Sequence, residues 1–528
     1  MNFDHNILTI ITFTPLAGAI VLALLPDRDR IQQWGALAVT LLTFLFTLHL
    51  PFRYDYTAPS DAFQFQQNLS WINSPAIRYH LGVDGLSLWL VVLTGLLAPL
   101  GVLISWRVID SRRRLFYTLF LLQQVAMLGI FVSLDLFLYY AFWELSLVPM
   151  ALLIAVFGRT ENRRRAAIKF FLYAFIPSAI LLVAMLWLYV RTGTFDYPQL
   201  ATLAAAHDIS TSPFALWLAS LAFLVAFAVK VPIFPLHGWL ADAVSEAPTA
   251  AVMVIAGKLG LYSILRFSLG IFPAQSHRIA PLMLALGAIG VVYGALLALV
   301  QKDLKRLAAF ATLGHVSVVI VGIFALTISG IDGGIYQTLN EGIGGAALFM
   351  LLGLLYERYR TYDMREYGGL AARLPWIVTM FVLTALSTTG LPMLNGFVGE
   401  FLVFSGTMQS AIAHHIGWTV LATSSVILTA SYMLGMIQRV FYGNLSRRAE
   451  ETTAIDLTAR EHLALWPLVA LFLFMGIASP VWLRAIDSAG SRIAATINRT
   501  HATTVNLEAS SHTGSSNMTQ TSATKGAQ

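Results

Sequence analysis

Six ionisable side chains fall inside apolar stretches of the sequence: Glu144 in FWELSLVPM, Lys230 in AFAVKVPIF, Lys258 in VMVIAGKLGLYSI, His315 in TLGHVSVVI, Glu341 in TLNEGIGGA and Glu400 in FVGEFLVF. Each lies roughly half-way through a run long enough to cross a bilayer. A charge at the centre of a crossing helix costs about 2.5 to 3.5 kcal/mol, so three carboxylates and two amines left bare would cost roughly 12 to 18 kcal/mol. Such a set needs partners and water. The chemistry these residue types suit is proton exchange, because intramembrane carboxylates, lysines and histidines mark ion and proton paths.

The choice of lysine points the same way. Only six of the 33 basic residues are lysines, and two of these six, Lys230 and Lys258, stand in apolar runs. Arginine holds its charge at any working pH, whereas a desolvated lysine can release its proton near neutrality. A structural reading of the same residues stays open: Glu144 and Lys230 could be a packing ion pair, and His315, beside Gly314, could bond one helix to another. Tyr262 and Arg266 follow Lys258 by four and eight residues on one helical face, which suits positioning groups better than carriers.

The elements that must hold these side chains are membrane helices. The chain has 528 residues, 57% hydrophobic and 11% charged, with a mean hydropathy of +0.72, where a soluble protein would carry about 25% charged residues. Fourteen apolar runs, from 7–25 to 463–483, are each close to the roughly 20 residues that span a bilayer core. The twelfth, 375–410, is interrupted. The first lacks a basic leader and a small-x-small cleavage site, so it is expected to remain as a helix.

Charge sets the expected orientation. With the N-terminus outside, 22 of the 33 basic residues fall on inside loops, among them Lys302, Lys305 and Arg306, and 8 fall outside; Lys230, Lys258 and Arg266 lie in helices. This asymmetry fits an even number of crossings with both termini outside. It also explains the formal charge of +6 without a nucleic-acid partner. The absence of cysteine excludes thiolate-held iron–sulfur clusters, Cys-zinc sites and internal disulfides.

Two stretches interrupt their helices in a similar way. VPIFPLHGWLADA (231–243) and LPMLNGFVGEFL (391–402) share an aliphatic-Pro start and a later Gly-aromatic-aliphatic-small-acid pattern. Pro232 and Pro235 remove backbone donors in the first, and Gly390 and Pro392 act similarly in the second. Paired broken helices in two halves of a chain mark the transport site in repeat-built transporters. The loop 51–82 holds SWINSPAIRYHLG, which fits a small hairpin or an interfacial segment, and the polar stretch from 498 is too poor in apolar residues to order itself.

FWELSLVPM, VKVPIFPLHGWLADAVSEAPTAAVMVIAGKLGLYSILRF, LYERYRTYDMREYGGL, GLPMLNGFVGEFLVFSG and LGVDGLSLWLVVLT resemble the M (chain 4) family of antiporter-like subunits of proton-pumping NADH:quinone oxidoreductase, respiratory complex I. The likeness covers roughly residues 1–485. It implies an all-α polytopic membrane protein of about 14 helices, with two inverted five-helix repeats and discontinuous helices 7 and 12. The implied divisions are 1–114 for helices 1–3 and the outer loop, 115–275 for the first repeat, 276–445 for the second, 446–497 for helix 14 and 498–528 for a disordered tail.

By matching positions, the resemblance makes Glu144, Lys230, Lys258 and Glu400 members of a central proton relay, with His315 and Glu341 between. Glu400, where siblings carry lysine, favours the M type. One departure stands out: relatives often have histidine in helix 11, and this chain has Asn340-Glu341-Gly342. A glutamate titrates below a histidine unless desolvated, so the charge balance of the relay differs here. The resemblance also implies L-like and N-like partner subunits in a bacterial inner membrane. No cofactor is expected in this chain; NADH, FMN, iron–sulfur clusters and quinone would belong to the partners.

In the expected mechanism ionised Glu144 favours the protonated form of Lys230, and withdrawing that carboxylate sends the proton along Lys258, His315 and Glu341 to Glu400. Three other readings compete. A multisubunit cation/proton antiporter or membrane-bound hydrogenase shares the fold and much of the motif set. A passive scaffold would tolerate neutralisation of the buried pairs. A haem protein fits poorly, because His237, His414 and His415 lie at a break or near a helix start rather than at facing mid-helix positions.

Overall fold

The structure, a computed structural model, describes residues 3–60, 62–206, 209, 212–255, 258–412, 416–452 and 454–500. Helices dominate it: α1 (Phe3–Leu24), α2 (Asp29–Arg53), α3 (Leu88–Ser105), α4 (Arg113–Val132), α5 (Leu136–Phe157), α6 (Arg163–Thr192), α7 (Pro213–Lys230), α8 (Thr249–Ile271), α9 (Pro273–Val300), α10 (Leu304–Phe324) and α11 (Ile328–Tyr359). The interrupted run forms α12 (Pro375–Thr388) and α13 (Asn395–Met408). Then come α14 (Ile416–Phe441) and α15 (Ala459–Ile477), and a last helix, α16, over 480–500.

Among the described residues thirteen of these are long and apolar enough to cross a membrane. Neither α12 nor α13 qualifies: each has 14 residues and is about 21 Å long against a core of about 30 Å. Together they occupy the run expected as the interrupted twelfth crossing.

The irregularities have sequence causes. Pro149 cannot donate to the carbonyl of Leu145, and the helical hydrogen-bond ladder is interrupted at Ser146, whose backbone stays in the helical region, so α5 divides after Leu145. At Pro232 and Pro235 the chain leaves α7 after Lys230, runs through turns and resumes as the short helix Leu240–Glu246. Trp239 Nε1 donates to the carbonyl of Val229 at 2.9 Å, satisfying one of the acceptors that the break exposes. At the second break Gly390 adopts φ +72°, and Met393 follows at φ +73°, a conformation that costs a non-glycine residue energy.

The loop 51–82 contains the expected hairpin, β1 (Gln64–Ile72) antiparallel to β2 (Ile77–Val83), with Asn68 opposite His80. The C-terminus departs from expectation. The run 463–483 ends early, at Ile477, and α16 continues through Asn498, Arg499 and Thr500, inside the stretch expected to be a tail. Ser479 and Pro480 supply an N-cap residue and a first-turn proline. Trp482, Ala485, Ile486, Ala489, Ile493, Ala494 and Ile497 then bury one face at helical spacing. The rest of the expected tail, 501–528, lies outside the described residues, as do His414 and His415.

Candidate functional site

The helices most enclosed by their neighbours are α8, α10 and α11, and they carry Lys258, His315 and Glu341. Lys230 ends α7, where the negative end of the helix dipole favours a cation. It is 6% exposed and donates to Ser146 Oγ at 3.0 Å. Its ammonium lies 5.0 Å from the Trp143 ring centre and 5.9 Å from that of Phe170, a cation–π cage that partly replaces water. Glu144 is half-buried and accepts a hydrogen bond from Ser178 Oγ on α6.

Among the described residues Glu144 and Lys230 make no contact ion pair. The carboxylate acts on the lysine through its field, from the other side of the α5 irregularity. A simple packing ion pair is therefore not what the two residues form.

α8 approaches the end of α7 closely. A Cβ on Gly260 would lie 2.5 Å from Val231 Cγ2 and 2.8 Å from the Phe227 carbonyl. Glycine there lets α8 bring Lys258 to the α7 break. Lys258 is 2% exposed, and its ammonium donates to the Met253 carbonyl at 3.2 Å. Its stem lies over Gly342, where a Cβ would stand 3.2 Å from Lys258 Cε. Gly342, the last residue of the helix 11 departure, thus faces the connecting lysine.

Glu341 then touches His315: Oε1 lies 3.3 Å from Nδ1. The other ring nitrogen, Nε2, is 3.0 Å from the Tyr432 hydroxyl of α14, which in turn lies 3.3 Å from Thr429 Oγ1. One imidazole bridges a carboxylate and a phenol, so a proton added at one nitrogen can be withdrawn at the other.

Glu400, on α13, is 3% exposed and lies beside the second break. A Cβ on Gly390 would meet Glu400 Oε2 at 2.6 Å. The break itself is pinned to α11 by amides. Asn340 Nδ2 donates to Gln337 Oε1 and to the Asn395 carbonyl, both at 2.8 Å; Asn395 Nδ2 returns to Asn340 Oδ1 at 2.9 Å, and Ser387 Oγ donates to Asn395 Oδ1 at 2.6 Å. Glu341, next to Asn340, feels the charges of both Glu400 and Lys258.

Sequence reasoning missed four features. Ser146, Tyr432 and the Asn340–Asn395 network are uncharged polar groups, ordinary in composition until the fold pairs them. Lys305, expected on an inside loop, is instead 3% exposed: its ammonium donates to the Ala247 carbonyl and lies 5.6 Å from the Tyr362 ring centre. It lines a cavity of about 280 Å³ with Arg159, Glu246 and Tyr362. Its place between the Asp303 N-cap and the end of Leu240–Glu246 explains the burial.

Arg266 is also buried, and its guanidinium grips Asp84 with two hydrogen bonds of 2.7 and 2.6 Å, while Arg492 of α16 adds a third at 2.5 Å. Burial opposes ionisation of Asp84, yet the two guanidinium groups hold its carboxyl well below the usual carboxylate range. Tyr262 accepts from Arg266 Nε at 3.2 Å. These residues join α8 to α16 and to the segment between β2 and α3. Among the described residues no group of three or more His, Cys, Asp or Glu could hold a metal ion.

The fold and site define a polytopic membrane protein with a buried line of ionisable groups running between two broken helices. Residues 133–429 match the family described as NADH:quinone oxidoreductase/Mrp antiporter, TM, and the chain belongs to that family. It is 39% identical over 516 residues to NADH-quinone oxidoreductase subunit M of Rhodobacter capsulatus, an alignment covering 94% of this chain and 98% of that one. Respiratory complex I from Thermus thermophilus with bound NADH contains a similar fold, with a TM-score of 0.82 and 29% identity over 93% of this chain and 99% of that chain. The Mrp complex from Dietzia sp. DQ12-45-1b aligns with a TM-score of 0.79 and 21% identity over 95% of this chain and 100% of that chain, a likeness of fold.

Proposed function

We propose that this chain is the M-type, proton-translocating membrane subunit of NADH:quinone oxidoreductase, set beside L-like and N-like subunits in the inner membrane of a bacterium. The hairpin, α16 and both termini then lie on the outer side, which the 22 to 8 asymmetry of basic residues supports. The observation that carries the reading is the buried series along α8, α10, α11 and α14, in which Lys258 packs on Gly342, its charge acts on Glu341, and Glu341, His315 and Tyr432 are in contact. The antiporter alternative shares the fold, but among solved structures the identity is 29% to a complex I chain against 21% to an Mrp chain, and the sequence relative at 39% is a subunit M, which favours complex I.

In this mechanism Glu144 is a switch that works across a short gap. Ionised, it favours the ammonium form of Lys230; when a partner withdraws that charge, Ser146 and the aromatic cage alone hold the cation. The proton then leaves towards Lys258, which Gly260 keeps beside the α7 break. Glu341 and His315 take it on, and Glu400 holds it at the α12–α13 break. The two inverted repeats would pair these breaks as equivalent stations, Pro232 and Pro235 with Gly390 and Pro392. NADH, FMN, iron–sulfur clusters and quinone act in the partner subunits.

The test is proton translocation by the whole complex reconstituted in liposomes with Lys258→Ala. The expected result is fewer protons per NADH at preserved uncoupled turnover. A wild-type ratio overturns the relay.

A further inference from the structure

An acidic pair that the relay does not use lies on the hairpin face. Asp332 stands in the second turn of α11, 5% exposed, and its Oδ1 is buried with no hydrogen-bond partner. It points at α16: a Cβ on Gly490 would lie 1.7 Å from Asp332 Oδ1, so only glycine leaves room for the carboxyl. Asp487, nearly one turn earlier on α16, bonds to Asp332 and is exposed on its other side. One carboxyl is therefore sealed inside and its partner opens to solvent.

No base neutralises the pair among the described residues. On α16 itself, Arg492 is committed to Asp84 and to the Ser60 carbonyl, Arg484 acts on Tyr56, and Arg499 stands about three turns beyond Asp487. Of the helices packed on α11, α3 and α12 carry no charged residue. The charged groups of α15 lie at its opposite end, and those of α13, α10 and α8 are Glu400, the groups from Lys305 to His315, and Lys258 and Arg266, placed above. Two carboxyls in contact cannot both ionise without large repulsion, so one proton bridges them. Burial holds the Asp487 carboxyl above the usual carboxylate range.

We propose that Asp332 and Asp487 share one proton and form the site at which the relay releases protons to water on the hairpin face. This rests on the proton-translocating reading above. Asp332 lies nine residues from Glu341 on the same helix, about 14 Å along its axis, with the Gln337 and Asn340 amides in the interval. A proton reaching Asp332 is balanced by one leaving Asp487, so the pair always keeps one proton and its net charge of minus one does not change during release.

The experiment uses the intact complex in liposomes with Asp332→Asn, Asp487→Asn and the double variant, beside Lys258→Ala. Asparagine keeps shape and hydrogen bonding, and hydrogen exchange over residues 482–497 reports whether α16 stays docked. The expected result is a docked α16, normal uncoupled turnover, and protons per NADH in Asp332→Asn reduced to the Lys258→Ala level. Infrared difference spectra should also lose the carbonyl band of a protonated carboxylic acid in Asp332→Asn. Wild-type pumping in the double variant while Lys258→Ala fails sinks the release site alone; wild-type pumping in Lys258→Ala sinks the relay itself. A loss of pumping that only accompanies undocking of α16 also overturns the proposal, leaving the pair as a structural latch.

Discussion

Lys230 donates to Ser146 Oγ at 3.0 Å, two residues beyond Glu144, the carboxylate with which the sequence would pair it. Residues two apart on a helix point to nearly opposite sides, so the Ser146 hydroxyl meets Lys230 of α7 while Glu144 meets Ser178 of α6. The lysine is thus held by a neutral acceptor and two aromatic faces. Glu144 influences it without being able to trap it, which suits a carrier better than a closed ion pair does.

Ser146→Ala removes that acceptor. A hydrogen bond to a charged group is worth about 1.5 to 3 kcal/mol, so the ammonium form should lose roughly tenfold or more in population. Proton translocation should fall towards the level of Lys230→Ala, with uncoupled NADH oxidation unchanged, while Ser146→Thr keeps the wild-type ratio. Liposome pumping assays on the three variants decide it.

Tyr432→Phe deletes the hydroxyl at His315 Nε2 and leaves the ring packing in place. A neutral hydrogen bond of about 1 kcal/mol corresponds to roughly a fivefold slowing of pumping if the phenol takes part in the transfer. Stopped-flow acidification of the vesicle lumen measures this, and an unchanged rate would confine Tyr432 to a packing role.

The burial of the ionisable residues within helices was legible because a charge in an apolar run has no ordinary explanation, and the two breaks because proline and glycine have fixed backbone consequences. Ser146, Asn340, Asn395 and Tyr432 were not, since an uncharged polar side chain in a helix can satisfy itself locally and only tertiary packing shows where it points. Lys305 looked like a loop residue because it lies two residues after the Asp303 cap, yet the segment from Leu240 to Ala247 folds over it. α16 could have been read from Ser479, Pro480 and the apolar spacing after them. The preceding run masked it by blurring where one helix stops and the next starts.

Gly390→Ala should disturb the second break. The position has φ +72°, and a Cβ would sit 2.6 Å from Glu400 Oε2, so strain and crowding together should cost about 1 to 3 kcal/mol. Gly345→Ala is the control, because nothing lies within 4 Å of a Cβ there. The melting temperature of the purified complex should fall for Gly390→Ala and stay level or rise for Gly345→Ala. Equal shifts in the two would show that the break tolerates a side chain.

The acidic contacts of α16 should respond to pH in opposite senses. Asp84, held below the usual carboxylate range by Arg266 and Arg492 against the effect of burial, stabilises the fold fully above the ordinary aspartate value of about 3.9. That contribution fades only as the pH falls through its lower folded value. Asp487, raised by burial, binds its proton more tightly folded than unfolded, so its contribution declines as the pH rises from about 3.9 through the folded value. Above about pH 4, amides near Arg492 should therefore keep constant hydrogen-exchange protection, while those near Asp487 lose protection as the pH rises through the raised folded value. Asp487→Asn should flatten the second profile and leave the first untouched. Asp84→Ala, which leaves Arg266 buried without its anion at a cost of about 3 to 5 kcal/mol, should release the Arg492 end of α16 at every pH; parallel profiles for both ends in the wild type would contradict the opposed titrations.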